Sequence, residues 1–174
     1  MLESPFPSAV RIGSMDKQQL LKALQEQRVE LNDAAVEIFM DNRFEILRQS
    51  VIIEIKRLSL ADLGFAEGAT YGQIMESARK IGLVECPLEL GPHLRLQFLG
   101  QPEGAFGFPA TQNTAPLGSI TVATSPLDDT DETPKGFYLR RIEGILWLRG
   151  YRSWPCHIWS PENVFVFARN SGVA

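Results

Sequence analysis

Two periodicities alternate along the chain, and the first of them is helical. Apolar residues recur every three or four positions over 15–28, 33–41 and 71–81, the spacing that places them on one face of a helix. The third stretch carries the fullest set of signals, because Thr70 and Gln73 stand at the spacing of a capping box. The pattern therefore predicts three helices.

Elsewhere apolar and polar residues alternate one by one, which is the pattern of a half-buried strand. Two such stretches flank the dipeptide Glu143-Gly144, and a two-residue turn there would join them as a β-hairpin. The hairpin strands are predicted over 137–142 and 145–150. The same alternation predicts strands over 51–58 and 93–98, and further strands are predicted over 119–124 and 164–168.

The order of these elements predicts an α+β fold, with N-terminal helices and one capped helix packed on a mostly antiparallel β-sheet. Residues 1–13 contain Pro5 and Pro7 and are expected to form a loose N-terminal arm. No repeat or linker divides the rest, so 14–174 are expected to be a single α+β domain. Residues 100–118 are rich in glycine and proline and are predicted to form a long loop.

The composition narrows the class of protein. The chain has 174 residues and a net charge of −4, which provides no general attraction to nucleic acid or to an anionic membrane. No apolar run reaches the roughly 20 residues that span a bilayer. The first residues lack the pattern of a signal peptide, so Cys86 and Cys156 are expected to be reduced thiols in a soluble cytoplasmic protein.

The stretch GATYGQIMESARKIGLVECPLELGPHLRLQFLGQPEG and the later motif W-x-P-E-N-x-F-V-F resemble a family of small uncharacterised bacterial proteins. The resemblance covers residues 50–104 well and the C-terminal third loosely. Members have sometimes carried a helicase label, but the resemblance implies no established activity. The chain has no G-x-x-x-x-G-K-[ST] loop to hold a nucleoside triphosphate, and it is too short for a helicase motor.

The common signatures of catalysis and metal binding are missing from the sequence. It contains no H-E-x-x-H, C-x-x-C, G-x-S-x-G or Rossmann glycine motif, so no catalytic residue, cofactor or metal ligand is predicted. Cys156 and His157 are neighbours and would point to opposite faces of a strand. The acidic segment 128–135 lacks the spacing of a calcium loop and is predicted to be a solvated loop.

A polar face is predicted on the strand at 93–98. Such a face can bind a small polar ligand or carry acid–base chemistry, although one face of an antiparallel sheet is ordinarily solvated and polar without any function. The candidate ligand-binding residues are Glu89, His93, Arg95 and Gln97.

A second surface follows from the predicted hairpin. With the turn at Glu143-Gly144, one face of the hairpin would carry aromatic and basic residues and the other would be mostly apolar. Arginines among aromatic rings can hold a protein partner or stack bases, and they also form cation–π ladders that only cover a sheet. The candidate partner-binding residues are Tyr138, Arg140, Trp147 and Arg149.

The sequence thus favours a non-enzymatic, soluble bacterial interaction or accessory module that binds a protein partner through the aromatic and basic face of this hairpin or through the polar face that carries Arg95. Two alternatives stay open. One is a small-ligand-binding protein or hydrolase that uses the polar face of the 93–98 strand. The other is an accessory nucleic-acid binder that uses residues 137–154, which the acidic composition disfavours. Neither the identity of the partner nor the oligomeric state follows from the sequence.

Overall fold

The computed structural model describes residues 5–104 and 116–171 of the chain. Within these ranges four strands alternate with four helices, and four more strands follow. The helices are α1 (Lys17–Glu26), α2 (Asp33–Met40), α3 (Tyr71–Lys80) and α4 (Leu90–Gln97). The strands are β1 (Ala9–Ile12), β2 (Glu30–Leu31), β3 (Val51–Ser59), β4 (Leu83–Val84), β5 (Ile120–Val122), β6 (Gly136–Ile142), β7 (Ile145–Tyr151) and β8 (Val164–Arg169).

All eight strands belong to one sheet, in the order β1-β3-β8-β5-β6-β7-β2, with β4 paired to β8. The pairs β5–β8 and β2–β7 are parallel, and the other pairs are antiparallel. The predicted α+β class with a mostly antiparallel sheet is therefore confirmed. The last strand, β8, lies in the middle of the sheet. It pairs with β3, β4 and β5, which all precede it in the sequence.

The sheet buries apolar residues on both faces. One face, which includes Ile55, Leu139 and Val166, packs with residues of α1, α2 and α4 in the larger core. The other face presents Phe165 and Phe167 to α3 and to the segment after β3. Because cross-strand partners share a face, Tyr138 and its neighbours on β6 and β7 extend this second face beyond the part that α3 covers.

The helix at the third predicted position has the caps that the sequence indicates. Thr70 accepts a hydrogen bond from the backbone N–H of Gln73, and the Gln73 side chain accepts one from the N–H of Thr70. Ile74, Met75 and Ala78 form its buried stripe. The first two predicted helices are also present, with slightly shorter bounds. Local signals were sufficient here because caps and stripe agree with each other.

Two predictions about the chain's path are wrong. Part of the expected loose arm, residues 9–12, forms β1, which pairs with β3 because Val10 and Ile12 are fully buried. The stretch 93–98 is not a strand but belongs mostly to α4. Pro92 is compatible with this helix because it lies in the first turn, where a backbone N–H has no helical acceptor.

The remaining predicted segments are located as follows. The strands expected at 51–58, 119–124 and 164–168 correspond to β3, β5 and β8. Of the loop predicted over 100–118, residues 105–115 lie outside the described part of the chain. The segment 128–135 contains no helix or strand.

Gly91 offers a test of how α4 packs on the sheet. A Cβ atom at this position would lie 2.8 Å from both Cβ and Cδ2 of Phe137, which is too close for either group to remain in place. We expect Gly91→Ala to lower the free energy of unfolding by about 1–3 kcal/mol through overpacking, as measured by urea denaturation.

Gly72, in α3, is the matched control. A Cβ atom there would meet nothing closer than the Thr70 hydroxyl oxygen at 4.0 Å, so Gly72→Ala should raise stability by up to about 1 kcal/mol through helix propensity. Equal effects of the two alanines would contradict the packing described for α4.

Candidate functional site

The polar residues expected on an open strand are instead attached to the buried helix α4. Glu89, His93 and Arg95 are only 2%, 4% and 0% exposed. Each of these residues, and the exposed Gln97, contacts a different part of the surrounding chain. The open polar face of a strand that the sequence predicts at 93–98 therefore does not exist, because these side chains extend from a helix.

Glu89 binds the backbone of two segments that pass beside α4. Its Oε2 accepts a hydrogen bond from the N–H of Gly13 at 3.2 Å, and its Oε1 accepts one from the N–H of Leu47 at 3.0 Å. His93 Nε2 lies 3.6 Å from Glu89 Oε2. Burial raises the pKa of Glu89, and the two N–H donors lower it in part. This carboxylate thus stabilises the approach of both segments to the helix.

Gln97 holds the strand β1 against the end of α4. Its Oε1 accepts a hydrogen bond from the N–H of Arg11 at 3.0 Å, and its Nε2 donates to the carbonyl of Arg11 at 2.7 Å. The amide side chain therefore satisfies both backbone groups of one residue, as a neighbouring strand would do. The hydrogen bonds to Arg11 account for this polar side chain without a ligand.

Arg95 is the most deeply buried charge of this set. Its guanidinium donates to Gln101 Oε1 at 2.5 Å, to the carbonyl of Phe98, and to the carbonyl of Trp147 at 3.4 Å. Gln101 in turn donates to the carbonyls of Gly118 and Leu139. Burial, assisted by the nearby charge of Arg141, lowers the pKa of Arg95 to about 10. The residue joins α4 to the hairpin and is not available to a ligand.

The predicted hairpin is present with the predicted register. Tyr138 faces Arg149, Arg140 faces Trp147, and Ile142 faces Ile145 across the turn. The partner-binding candidates consequently share one face, which we call the hairpin face and define as Tyr138, Arg140, Trp147 and Arg149.

The other side of the hairpin is the apolar side that the sequence indicates. Phe137, Leu139 and Leu148 are fully buried, and Leu146 packs partly buried against the same core. Arg141, which shares this side, lies near its edge. It donates to the carbonyl of Gln101 at 3.2 Å and lies 3.5 Å from the carboxylate of Glu103.

The guanidinium of Arg149 lies on aromatic rings. Its Cζ is 4.9 Å from the ring centre of Trp147 and 6.0 Å from that of Tyr138, within the range of cation–π attraction. All four residues of the hairpin face are partly exposed. Burial and the charge of Arg149 lower the pKa of Arg140, while Tyr138 opposes this shift. The face thus presents ordered cations on an aromatic surface.

A cleft of about 370 Å³ opens beside this face, between the start of α3, the end of β7 and the segment 153–159. We call it the aromatic cleft and define it by Tyr71, Tyr151, Trp154 and Trp159. The rings of Tyr151 and Trp159 stand at 89° with centres 5.6 Å apart. The ring of Tyr151 is also 6.4 Å from that of Tyr138, so the cleft and the hairpin face are adjacent.

Hydrogen-bonding groups lie at one side of the cleft. The Tyr71 hydroxyl donates to Glu85 Oε1 at 3.0 Å and lies 3.1 Å from the carbonyl of Thr124, and the Ser125 hydroxyl donates to the other oxygen of Glu85. Burial raises the pKa of both Tyr71 and Tyr151, and the charge of Glu85 adds to this shift. The phenols therefore remain neutral at physiological pH.

The sequence did not reveal this cleft. Its tryptophans were interpretable only as core or interface aromatics, because a wall contributed by α3 comes from a distant part of the chain. The proximity of Tyr151, Trp154 and Trp159 in the sequence was the available signal, but it does not distinguish a packed cluster from a cavity.

In the acidic loop, the side chain of Asp128 already has partners within the chain. The carboxylate of Asp128 accepts hydrogen bonds from the Thr130 N–H and from the hydroxyls of Thr130 and Thr133, and it pairs with Arg43 at 2.8 Å. Within residues 5–104 and 116–171, no three histidine, cysteine, aspartate or glutamate side chains come together as a metal site.

No helix in the described ranges is both long enough and apolar enough to cross a membrane.

Comparisons with protein-family models, with curated proteins and with solved structures found no match. The function is therefore inferred from the geometry of the hairpin face and of the aromatic cleft.

Arg95 provides a test of the structural role assigned to the buried charges. Arg95→Ala removes the donor to three acceptors and leaves a cavity, so we expect a loss of about 3–5 kcal/mol in the free energy of unfolding. The exposed Arg79→Ala is the matched control and should change stability by less than about 0.5 kcal/mol. Urea denaturation of both variants measures the difference, and a small effect of Arg95→Ala would argue that the guanidinium is dispensable for folding.

The two histidines provide a pH-dependent test. Burial lowers the pKa of His93 and of His157 below the ordinary value of 6.5. As the pH falls below about 6.5, the unfolded chain binds protons that the folded protein does not bind. The free energy of unfolding therefore decreases as the pH falls, by up to about 1.4 kcal/mol per pH unit for each histidine.

Urea denaturation at several pH values between 7.5 and 5 should show this loss in the wild-type protein and a shallower loss in His157→Gln and in His93→Gln. The raised pKa of Glu89 acts in the opposite direction, because its contribution declines as the pH rises through the folded-state pKa. Glu89 is retained in both variants, so its effect largely cancels in the comparison of slopes. Unchanged slopes would mean that the imidazoles titrate alike in both states.

Proposed function

We propose that this protein is a non-enzymatic binding module that holds an acidic segment of a protein partner on the hairpin face. The observation that supports this most directly is the state of Arg149. Arg43, Arg141 and Arg152 each lie within 4 Å of a carboxylate. Arg149 contacts two rings and takes part in no ion pair among the described residues, a state that it shares with Arg57, which lies over the single ring of Phe6.

A guanidinium that contacts aromatic rings and has no ion pair can bind a carboxylate of a partner. Stacking on Trp147 and Tyr138 restricts its rotamers, so less conformational entropy is lost when it forms a bidentate pair. The guanidinium N–H groups lie in one plane and can donate two parallel hydrogen bonds to the oxygens of a carboxylate, and the Nε of Arg149 has no hydrogen-bond partner in the described part of the chain. Tryptophan, tyrosine and arginine are also the residues that most often dominate binding at protein interfaces.

Nucleic acid is the competing partner for an aromatic and basic surface. The chain as a whole carries a net charge of −4, which opposes the long-range attraction that phosphate backbones provide. The acidic protein segment therefore agrees better with both the local and the overall charge, and nucleic-acid binding is an outcome that the experiment below can detect.

The proposal retains the cytoplasmic location and the bacterial accessory role expected from the sequence and from the family resemblance. Both cysteines are free thiols, Cys86 buried and Cys156 exposed, which agrees with a reducing compartment.

The test is selection of peptides by the purified full-length protein from a random library displayed on phage. We expect enrichment of peptides with clustered aspartate or glutamate. For the best synthetic peptide, Arg149→Ala should weaken binding by about thirtyfold or more, the effect of losing a hot-spot residue. Isothermal titration calorimetry measures the affinity, and circular dichroism verifies that the variant is folded.

Arg79→Ala serves as the matched control, since it removes the same charge from an exposed position on α3 and should leave the affinity unchanged. Arg149→Lys keeps the charge but not the planar fork, and we expect it to bind less tightly than the wild type. Selection of peptides without acidic residues, or equal binding by Arg149→Ala, would contradict the proposal. Tighter binding of a single-stranded oligonucleotide at low salt, lost in Arg149→Ala, would replace it with a nucleic-acid function.

A further inference from the structure

We propose that the aromatic cleft is a second binding site, independent of the hairpin face, and that it takes a methylated ammonium group such as the head of choline or a trimethylated lysine. Its volume of about 370 Å³ lies in the range of small-molecule sites. Three arguments lead to this ligand: the arrangement of the rings, the carboxylates near them, and the aromatic and proline surface of the lining.

The rings come from two separate parts of the chain and line one cleft. Tyr71 begins α3, Tyr151 ends β7, and Trp154 and Trp159 belong to the segment that follows β7. Tyr151 and Trp159 stand almost perpendicular, and His157 lies edge-to-face with both tryptophans, 5.0 Å from each ring centre. Rings at right angles form a corner in which a cation can contact more than one π-system.

The charges near the cleft favour a cation. Asp129 is one of the lining residues. Glu85 accepts a hydrogen bond from the hydroxyl of Tyr71, another lining residue. Neither carboxylate takes part in an ion pair among the described residues. Both therefore add to the negative potential of the aromatic faces.

Two features near the cleft favour an anion instead, and some of their hydrogen-bond donors already have acceptors. Lys135 is the cation in the lining, but its ammonium donates to the carbonyls of Asp128 at 3.2 Å and Thr130 at 2.5 Å, which hold it on the acidic loop. The positive end of α3 also faces the cleft. There, Thr70 and Gln73 already satisfy each other's backbone N–H groups.

The lining distinguishes a methylated ammonium from an ordinary one. A primary ammonium has three donors that require acceptors when it leaves water, and half of the lining residues are aromatic or proline. Methyl groups remove the donors and replace them with apolar surface, while the positive charge remains for the rings and carboxylates. A quaternary or trimethylated group therefore suits these walls better than an unmodified lysine.

The experiment titrates choline into the wild-type protein and, separately, 3,3-dimethylbutan-1-ol, which has the same shape without the charge. Quenching of tryptophan fluorescence and NMR shifts of the indole N–H groups report binding. We expect saturable binding of choline and at least tenfold weaker binding of the neutral alcohol. Trp154 is 41% exposed, so Trp154→Ala should remain folded while weakening choline binding at least tenfold.

Trp147→Ala is the matched control, because it removes a tryptophan from the hairpin face and should leave choline binding unchanged. Glu85→Gln keeps an acceptor for the Tyr71 hydroxyl but removes the charge, and it should weaken choline binding severalfold. A peptide with trimethyllysine and its unmodified counterpart identify the source of the group. Preference for the methylated peptide over choline indicates a modified protein, and the reverse preference indicates a free metabolite.

The proposal is overturned if neither choline nor the methylated peptide binds saturably, if the neutral alcohol binds as tightly, or if benzoate binds in their place. An effect of Trp147→Ala as large as that of Trp154→Ala would also overturn it. The two sites can fail separately, because Arg149→Ala should not affect choline binding and Trp154→Ala should not affect acidic peptides.

Discussion

The guanidinium of Arg95, buried without a carboxylate partner among the described residues, is the interaction on which the arrangement of the hairpin depends. A buried charge is unfavourable unless its donors are satisfied, and Arg95 reaches the carbonyls of Phe98 and Trp147 as well as Gln101. Trp147 therefore has two roles. Its carbonyl accepts a hydrogen bond from Arg95 on the core side, and its ring supports Arg149 on the other side. The order of the proposed binding face thus follows from a structural charge below it.

The location of both candidate sites follows from unequal coverage of the sheet. Three helices pack on one face, whereas α3 covers only part of the other, around Phe165 and Phe167. The aromatic cleft lies where the cover by α3 ends, and the hairpin face lies beyond it on the same side of the sheet. Aromatic and basic residues occupy the part of this face that no helix covers. Residues packed under another helix would have been aliphatic.

The sequence predicted those parts of the structure that depend on neighbouring residues. The hairpin register follows from a two-residue turn at Glu143-Gly144, and α3 follows from its own caps and stripe. The helix α4 could not be recognised in this way. All but its last two residues are buried, so it has no polar side to generate a helical period. Leu94, Leu96 and Phe98 then imitate the alternation of a strand.

The same distinction explains which candidate residues share a face in the structure. Tyr138, Arg140, Trp147 and Arg149 share a face because of local pairing, which the sequence determines. The grouping of Glu89, His93, Arg95 and Gln97 required their secondary structure to be known, and the contacts that occupy them come from segments distant in the sequence, such as Gly13 and Gln101. The aromatic cleft has a wall from α3 and another from β7, so tertiary structure alone could reveal it.

The opposite charges of the two neighbouring sites restrict the kind of partner that this side of the sheet can accept. Tyr138 and Tyr151 are in ring contact, so a long ligand that crossed the hairpin face would continue towards the cleft. A nucleic-acid strand would meet Arg149 favourably, but its next phosphates would approach Asp129 and Glu85, which repel them. A polypeptide can change the sign of its charge from one residue to the next, whereas a phosphate backbone cannot. Under the two proposals, carboxylates at the cleft beside a cationic hairpin face suit a protein partner better than nucleic acid, for a reason independent of the net charge of the chain.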